Sequence, residues 1–511
     1  MPPENLPRPC YPARLSQEQE HLGRPVASSF AVAATSWSTT VSQRVIGIGM
    51  IGLGTVGGGV AKLLRDEAAL YQRRLGAKLE LRSVLVRDVK KARRADLVNS
   101  AIITADADAF FAAPGIDIII EVAGGKGIVS RYARRAIETG RHVITANKAL
   151  LAAEGAELFA LARKHEVAIA FEASCCGGIP VITALQFGLM ANRIDALYGI
   201  LNGTCNYILT EMTRKGKTYA TALAEAQAAG FAEADPTLDV SGKDAAQKLA
   251  VLASLAFGVR VAEGDVWNEG IDKLDLEDLR FGAELGYDIK LLAIGERVKG
   301  QGPGARGKAK GTKARGHEGA KGSAPDTRHP TPETRLSLRV HPSFVHASAP
   351  LAQVHGPFNA LSVYGHAAGH TMYSGRGAGQ LSTASAVVSD ILNVASGWYP
   401  LAYRGMSLLC DRCEPAASVN PDDLVSRFYL RMNALDVPGV MAKVSEILGA
   451  AGISLSAILQ HEANVGQFVP LVITTHAARQ GALNLALKKI ARLNVIHGKP
   501  VCIRIVDMPA G

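Results

Sequence analysis

The 511-residue sequence is short of aromatic side chains: Phe, Trp and Tyr together make up 5% of it, against 52 glycines. That balance argues against an all-β sandwich and suits an α/β enzyme with tight strand-to-helix turns. No apolar run of about 18 residues free of charge occurs, so nothing in the sequence is expected to cross a membrane. The N-terminal stretch has no continuous apolar segment and carries Glu4, Glu18 and Glu20, which fits neither a secretory nor a transit peptide. Residues 1–43 are therefore expected to form a disordered extension. Cysteine is sparse, odd in number and irregularly spaced (Cys10, Cys175, Cys176, Cys205, Cys410, Cys413, Cys502), which points to a reducing compartment, the cytoplasm. "CDRC" at 410–413 is half a zinc knuckle with no second half nearby, too little to imply a metal.

Acidic residues are outnumbered, leaving a net charge of +10. The excess is local. Residues 299–335 hold nine Lys/Arg against three Asp/Glu, without periodicity or aromatics. This composition reads as a disordered, solvated basic insertion rather than a nucleic-acid site.

A chain this long should form two or three domains. "RVIGIGMI" (44–51) is a buried-strand run followed by "GLGTVGGGV", a Gly-rich turn entering a helix. Strand-like and helix-like segments then alternate through "LELRSVLVRD", "IDIIIEVAG" and "RHVITANKAL", which predicts a Rossmann-type doubly wound parallel sheet over 44–170. A second, α+β catalytic and dimerisation domain is expected over 171–408, interrupted by the basic insertion, with a linker at 409–426. The tail, 427–511, reads strand–helix–strand–strand–helix–strand, a ferredoxin-like βαββαβ unit.

Gly52, Gly54 and Gly57 give GxGxxG between a strand and a helix. The first glycine permits the turn, the second lets a pyrophosphate approach the backbone, and the third allows close helix packing. With Leu53, Thr55 and Val56 they form a cradle for the phosphates of a dinucleotide at a helix N-terminus. Gly124, at the end of a later strand, belongs to the same edge. After the second strand comes Arg87 and then Asp88 with a basic cluster, which favours NADP, with NAD as the alternative.

Lys148 lies just past a strand at a helix start, where a cation is unfavourable unless an anion is near. In "GFAEADPTLDVSGKDAAQK" (230–248), Glu233, Asp235, Asp239 and Asp244 precede Lys248. Asp244 and Lys248 share a helix face at i, i+4, and the residues after them are apolar almost all round. A surface pair would contribute a few tenths of a kcal/mol, roughly, whereas a buried one needs a reason. With no His or Cys interleaved, a metal cage is disfavoured. The acids suit a substrate ammonium, and Lys248 could deliver a proton.

These segments, with "TANKALLA", "FEASCCGGIPVI", "GILNGTCNYILTEM" and "GRGAGQLSTASAVVSDI", together resemble homoserine dehydrogenase over about 44–408. The tail resembles an ACT regulatory domain, with "DVPGVMAKVSEIL" at its first helix. The resemblance implies reversible, NAD(P)-dependent interconversion of L-aspartate 4-semialdehyde and L-homoserine, on the route to threonine, isoleucine and methionine. It implies Lys248 as proton donor and Lys148 beside nicotinamide and substrate. Gly230, Glu233 and Asp244 match amino-acid-binding positions, Asp239 a further active-site acid, and Gly377 a glycine close to the cofactor. A sodium-type site is implied at Glu172, Cys175, Gly177 and Ile179, held mostly by main-chain carbonyls. A homodimer or homotetramer is implied, with an amino-acid effector, threonine, at the ACT domain. No aspartokinase-like segment is seen, so a single activity is expected.

A lysine that donates protons in a partly desolvated site is expected to have a depressed pKa. Two other readings are a nonenzymatic metabolite sensor on the same scaffold and a dehydrogenase of another amino-acid aldehyde. The presence of both Lys148 and Lys248 weighs against the sensor.

Overall fold

The computed structural model describes residues 44–91, 97–298, 335–406, 411–461 and 466–509. The expected N-terminal extension, the basic insertion up to residue 334, and Cys410 of the CDRC pair lie outside the described residues.

The first sheet has six strands: β1 (Arg44–Ile51), β2 (Ala77–Leu85), β3 (Ile103–Thr104), β4 (Ile118–Glu121), β5 (His142–Thr145) and β6 (Ile169–Ala170). Their order is β3-β2-β1-β4-β5-β6, and every pairing is parallel. Strands in such a sheet are covered on both faces and so are apolar continuously rather than alternately; Ile46, Ile48, Met50, Ile118, Ile119 and Ile120 are all buried. Strand order reverses between β1 and β4, where the carboxyl ends open a crevice.

The second sheet is mixed and has twelve strands. From one edge its main path runs Gly369–Arg376, Phe358–Gly365, Ile194–Ile200, Tyr287–Val298, Arg335–His346, Ile496–Val506, Val425–Leu435, Phe468–Thr475 and Leu455–Gln460. Helices Gly203–Lys215, Lys243–Phe257 and Leu276–Glu284 pack on it. The tail forms the expected βαββαβ unit, with helices Val440–Ala450 and Gln480–Ile490 between its strands, and its strands continue the second sheet. Its last strand joins Arg335–His346 in parallel, Ser343 to Val345 pairing with Arg504 to Val506.

Two further contacts fasten the tail. Arg431 grips the fully buried Asp278 with two hydrogen bonds (Nε to Oδ1 2.6 Å, Nη2 to Oδ2 2.9 Å), and Tyr429 Oη donates to the same carboxylate at 3.0 Å. Within the expected linker, Ala417–Ser418 pairs with the start of Arg335–His346, and Glu414 and Ala416 bond the backbone of Arg260. The segment runs along the second sheet instead of hanging free of it. Among the described residues, no helix is long and apolar enough to cross a membrane.

Candidate active site

The turn after β1 is built as a phosphate cradle. Gly52 has φ +100°, and a Cβ there would lie 2.8 Å from the amide nitrogen of Ala123, so only glycine fits. A Cβ on Gly57 would lie 2.3 Å from the Gly52 carbonyl oxygen, which fixes the third glycine by packing. At Gly54 nothing lies within 4 Å. The helix that follows, Thr55–Asp66, has no side-chain cap, so its first amides face the crevice with the positive end of the helix dipole. Leu53 and Val56 are half-buried, and Gly54 and Thr55 are exposed. Arg87, just past β2, is exposed.

The facing loop after β4 is held by a residue that the sequence reading missed. Glu121 is fully buried, and its Oε1 accepts the amides of Ala123 and Gly124, each at 3.0 Å. Its Oε2 accepts the Thr145 hydroxyl at 2.6 Å. Thr145 in turn accepts the Asn147 amide, and Asn147 reaches the Gly125 carbonyl at 2.6 Å while capping the next helix through the Leu150 amide. That helix, Lys148–Lys164, starts at Lys148. One buried chain of hydrogen bonds therefore sets the Gly124 loop and Lys148 together.

Lys148 meets an anion. Its Nζ lies 3.0 Å from Oδ1 of Asp244, in the first turn of helix Lys243–Phe257. Asp244 is 4% exposed, and its Oδ2 accepts Lys248 Nζ at 2.8 Å and Asn202 Nδ2 at 2.7 Å. Lys248 Nζ also donates to the Leu201 carbonyl at 2.7 Å. Asn202 ties in Asp239 as well, at 2.7 Å, and caps helix Gly203–Lys215 through the Cys205 amide. The i, i+4 pair is thus part of a two-lysine network in which half-buried lysines share one buried carboxylate.

Its electrostatics correct one expectation. Burial alone would depress Lys248, as anticipated, but Asp244 at hydrogen-bond distance outweighs it, and the ammonium is held above the usual lysine range. Burial likewise opposes ionisation of Asp244, yet Lys248 and then Lys148 hold its carboxyl well below the usual carboxylate range. Asp239 is raised by burial and by the charge of Asp244, against the pull of Asn202.

The other acids of the stretch part company. Glu233 is exposed, and Asp235 is exposed and spent on the Thr237 amide at 3.1 Å. Gly230, with φ +73°, is exposed where the preceding helix ends. The loop is tethered beside Asn202 by the Thr204 hydroxyl, which donates to the Phe231 carbonyl at 2.6 Å.

Gly377 follows the edge strand and sits against Asn359, whose atoms a Cβ there would meet at 2.0–2.4 Å. Asn359 donates to the same Leu201 carbonyl as Lys248, at 3.0 Å. The loop 175–180 is pinned to this edge by the Gly178 amide on the Arg376 carbonyl, 3.0 Å. The Glu172 side chain is buried and consumed: it accepts the amides of Ile182 (2.9 Å) and Thr183 (2.8 Å) and the Thr183 hydroxyl (2.6 Å). Burial raises its pKa against those bonds. The carboxylate itself is therefore not free to hold a cation. The Cys175 thiol is pushed up to about 12 by burial, and Cys176 is raised for the same reason. Neither is a thiolate ligand at neutral pH. Among the described residues, no group of His, Cys, Asp and Glu could cage a metal ion.

The signals for the missed residues were local. Asn147 and Asn202 each stand directly before a helix, where Asn caps. Glu121 ends a strand at the switch point.

Comparison with known proteins gives this geometry a family. Residues 52–172 match the NAD-binding domain of homoserine dehydrogenase, residues 180–392 the homoserine dehydrogenase domain and residues 428–494 the ACT domain. The chain is 38% identical to a homoserine dehydrogenase of Neisseria gonorrhoeae, covering 91% of this chain and all of that protein. It is 39% identical to one from Pseudomonas aeruginosa over the same shares. A crystal structure of a homoserine dehydrogenase from Thiobacillus denitrificans superposes with a TM-score of 0.79 at 36% identity, covering 91% of this chain and 99% of that one. The chain belongs to the homoserine dehydrogenase family, oxidoreductases that here carry an NAD-binding domain and a C-terminal ACT domain.

Proposed function

We propose that Lys248 is the proton donor and Lys148 the electrostatic partner in reduction of L-aspartate 4-semialdehyde to L-homoserine. The observation that carries this is the shared carboxylate of Asp244, which draws both lysine Nζ atoms to one point beside the crevice. A bound NADPH supplies the hydride. Lys248, anchored by Asp244 and the Leu201 carbonyl, has a third N–H for the substrate oxygen and passes its proton there as the C–H bond forms. Lys148 stabilises the developing alkoxide. Because both oxygens of Asp244 are taken, the substrate ammonium falls to Asp239 and Glu233 with the loop from Gly230, and Asp244 acts mainly by holding the lysines.

NADP is preferred through Arg87, with NAD accepted. Gly52, Leu53, Gly54, Thr55, Val56 and Gly57 hold the pyrophosphate, and Gly124 and Gly377 flank the nicotinamide side. The main-chain oxygens of Glu172, Cys175, Gly177 and Ile179 would hold a sodium ion, which would steady the loop beside Gly377. The working division is 44–170 for the cofactor, 171–408 for substrate and dimerisation, a connecting segment at 409–426, and 427–511 for an effector such as threonine. The assembly is a homodimer or homotetramer acting in the cytoplasm, supported by the free thiols of Cys175, Cys176 and Cys205.

The test is NADPH oxidation with aspartate 4-semialdehyde against a panel of other amino-acid aldehydes and keto acids. The expected preference is about 100-fold or more. Equal kcat/KM across the panel would overturn the substrate assignment.

A further inference from the structure

The two helices that carry the lysines also enclose a second space, a cavity of about 330 Å³ that none of Lys148, Asp244, Lys248 or the GxGxxG residues lines. Leu151 and Phe159 line it from helix Lys148–Lys164, and Val251 and Leu255 from helix Lys243–Phe257. Arg260 and Pro415 complete it. The volume sits at the lower end of small-ligand sites, and apolar walls between two packed units are where such sites form.

Its charged residues narrow the ligand. Asp265 also lines the cavity, but its carboxylate is engaged by the Ala262 amide at 2.8 Å. The guanidinium of Arg260 has no ion pair or hydrogen bond among the described residues. An unpaired guanidinium beside an apolar cavity is complementary to a carboxylate on an apolar body.

Position gives the site its consequence. The two helices are joined at their first turns by the Lys148–Asp244 ion pair, so their spacing sets where both ammonium groups sit. Arg260 also holds the segment leading to the ACT domain: its amide donates to the Glu414 carbonyl at 2.8 Å, and its carbonyl accepts the Ala416 amide at 2.9 Å. A ligand here would touch both catalytic helices and that segment at once.

We propose that this cavity is a regulatory site for a small carboxylate with an aliphatic or aromatic body, whose binding alters turnover by setting the spacing of the two helices. The effect on turnover rests on the assignment of Lys148 and Lys248 above; the binding itself does not. Glu157, on the same lining, is exposed and lacks a partner among the described residues, so the carboxylate could also bear an ammonium group.

Calorimetry on the full chain, saturated with homoserine and NADPH, a pair that cannot exchange hydride, to fill the active site, tests it with four probes: 4-methylpentanoate, 3-phenylpropanoate, leucine and phenylalanine. Saturable binding of at least one pair is expected. Arg260→Ala should weaken it about tenfold or more through loss of the charged hydrogen bond. Ala156→Leu, which fills the cavity, should abolish binding and with it any response of turnover to the probes. Tighter binding of the amino acids would support the site with Glu157 as ammonium partner, and tighter binding of the simple acids would support it without. No binding by any probe, or equal binding to wild type and both variants, overturns the proposal. Bound probe that leaves kcat and KM unchanged overturns the regulatory half alone. Absent turnover with intact binding would count against the catalytic assignment and not against the site.

Discussion

Oδ1 of Asp244 lies 3.0 Å from Nζ of Lys148, an ion pair between the first turns of two helices, one packed in the cofactor-binding unit and one on the second sheet. Oδ2 of the same carboxylate holds Lys248 at 2.8 Å, so Asp244 positions both lysines and opposes the effect of burial on Lys248. In Asp244→Asn, burial, the largest influence on Lys248, acts without its main opponent. The Lys248 pKa should fall, and the basic limb of the kcat/KM profile should move to lower pH. Turnover at neutral pH should drop about 10²-fold or more. A basic limb that stays in place would show that Lys248 is not the titrating donor.

The same network has a stability signature. Asp244 is depressed, so its contribution is present above the ordinary carboxylate range and is lost as pH falls through its lowered value. Lys248 is raised, so its contribution is present below the ordinary lysine value and is lost as pH rises through its raised one. Between those limits the pair is fully engaged. Asp244→Ala should therefore destabilise the protein by about 3–5 kcal/mol at neutral pH, measured by denaturant unfolding.

The glycine turn separates binding from folding. Nothing lies within 4 Å of a Cβ at Gly54, so Gly54→Ala should leave the melting temperature unchanged and raise KM for NADPH about tenfold or more by blocking the pyrophosphate's bonds to the backbone. At Gly57 the new Cβ would stand 2.3 Å from the Gly52 carbonyl oxygen. Gly57→Ala should lower stability by about 1–3 kcal/mol as well as affinity. Thermal melts with NADPH titrations distinguish the two, and equal melting losses would contradict the open cradle at Gly54.

Arg87, the proposed partner of the 2′-phosphate, is exposed just past β2. Arg87→Ala should weaken NADPH far more than NADH, by about tenfold. Equal losses in KM for the two cofactors would remove Arg87 from the 2′-phosphate.

Asp390 is 1% exposed, and its Oδ2 accepts the Glu172 amide at 2.9 Å. Burial and then the charge of Glu172 raise its pKa well above the ordinary value. The native state thus keeps a proton that the unfolded chain has released, so stability declines as pH rises from the ordinary carboxylate range toward the raised value. Asp390→Asn keeps an acceptor and removes that slope. It should stabilise the protein by about 1–3 kcal/mol at neutral pH and by little at acid pH. Stability profiles of the two proteins against pH check this.

Much of the fold was legible because its strands announce themselves by composition. The continuous apolar runs "RVIGIGMI" and "IDIIIEVAG" could only be strands covered on both sides, and the alternation with helices forced the parallel sheet. The continuity of the second sheet into the ACT unit was not legible. It depends on three residues, Ser343 to Val345, meeting Arg504 to Val506 across more than a hundred positions of chain, and no local pattern records such a pairing. The buried Asp278–Arg431 contact is of the same kind.

At the site, Lys148, Asp244 and Lys248 could be singled out because a helix start disfavours a cation and an i, i+4 pair on an apolar helix demands a partner. The direction of the Lys248 shift is not legible in the sequence, because it depends on the distance to the Asp244 carboxylate, which a sequence does not carry. Glu121, Asn147 and Asn202 were passed over since their work is done on backbone amides and carbonyls, which carry no sequence signature beyond a capping Asn. Glu233 read as equal to Asp239 in the sequence, yet the loop leaves it exposed while Asn202 draws Asp239 in.

The central claim is that Lys248 delivers the proton, and Lys248→Ala tests it most directly, with turnover of aspartate 4-semialdehyde and NADPH affinity measured on the same preparation. A fall in kcat of about 10³-fold or more is expected, with the NADPH dissociation constant nearly unchanged. Turnover within tenfold of wild type, with cofactor binding intact, would contradict it.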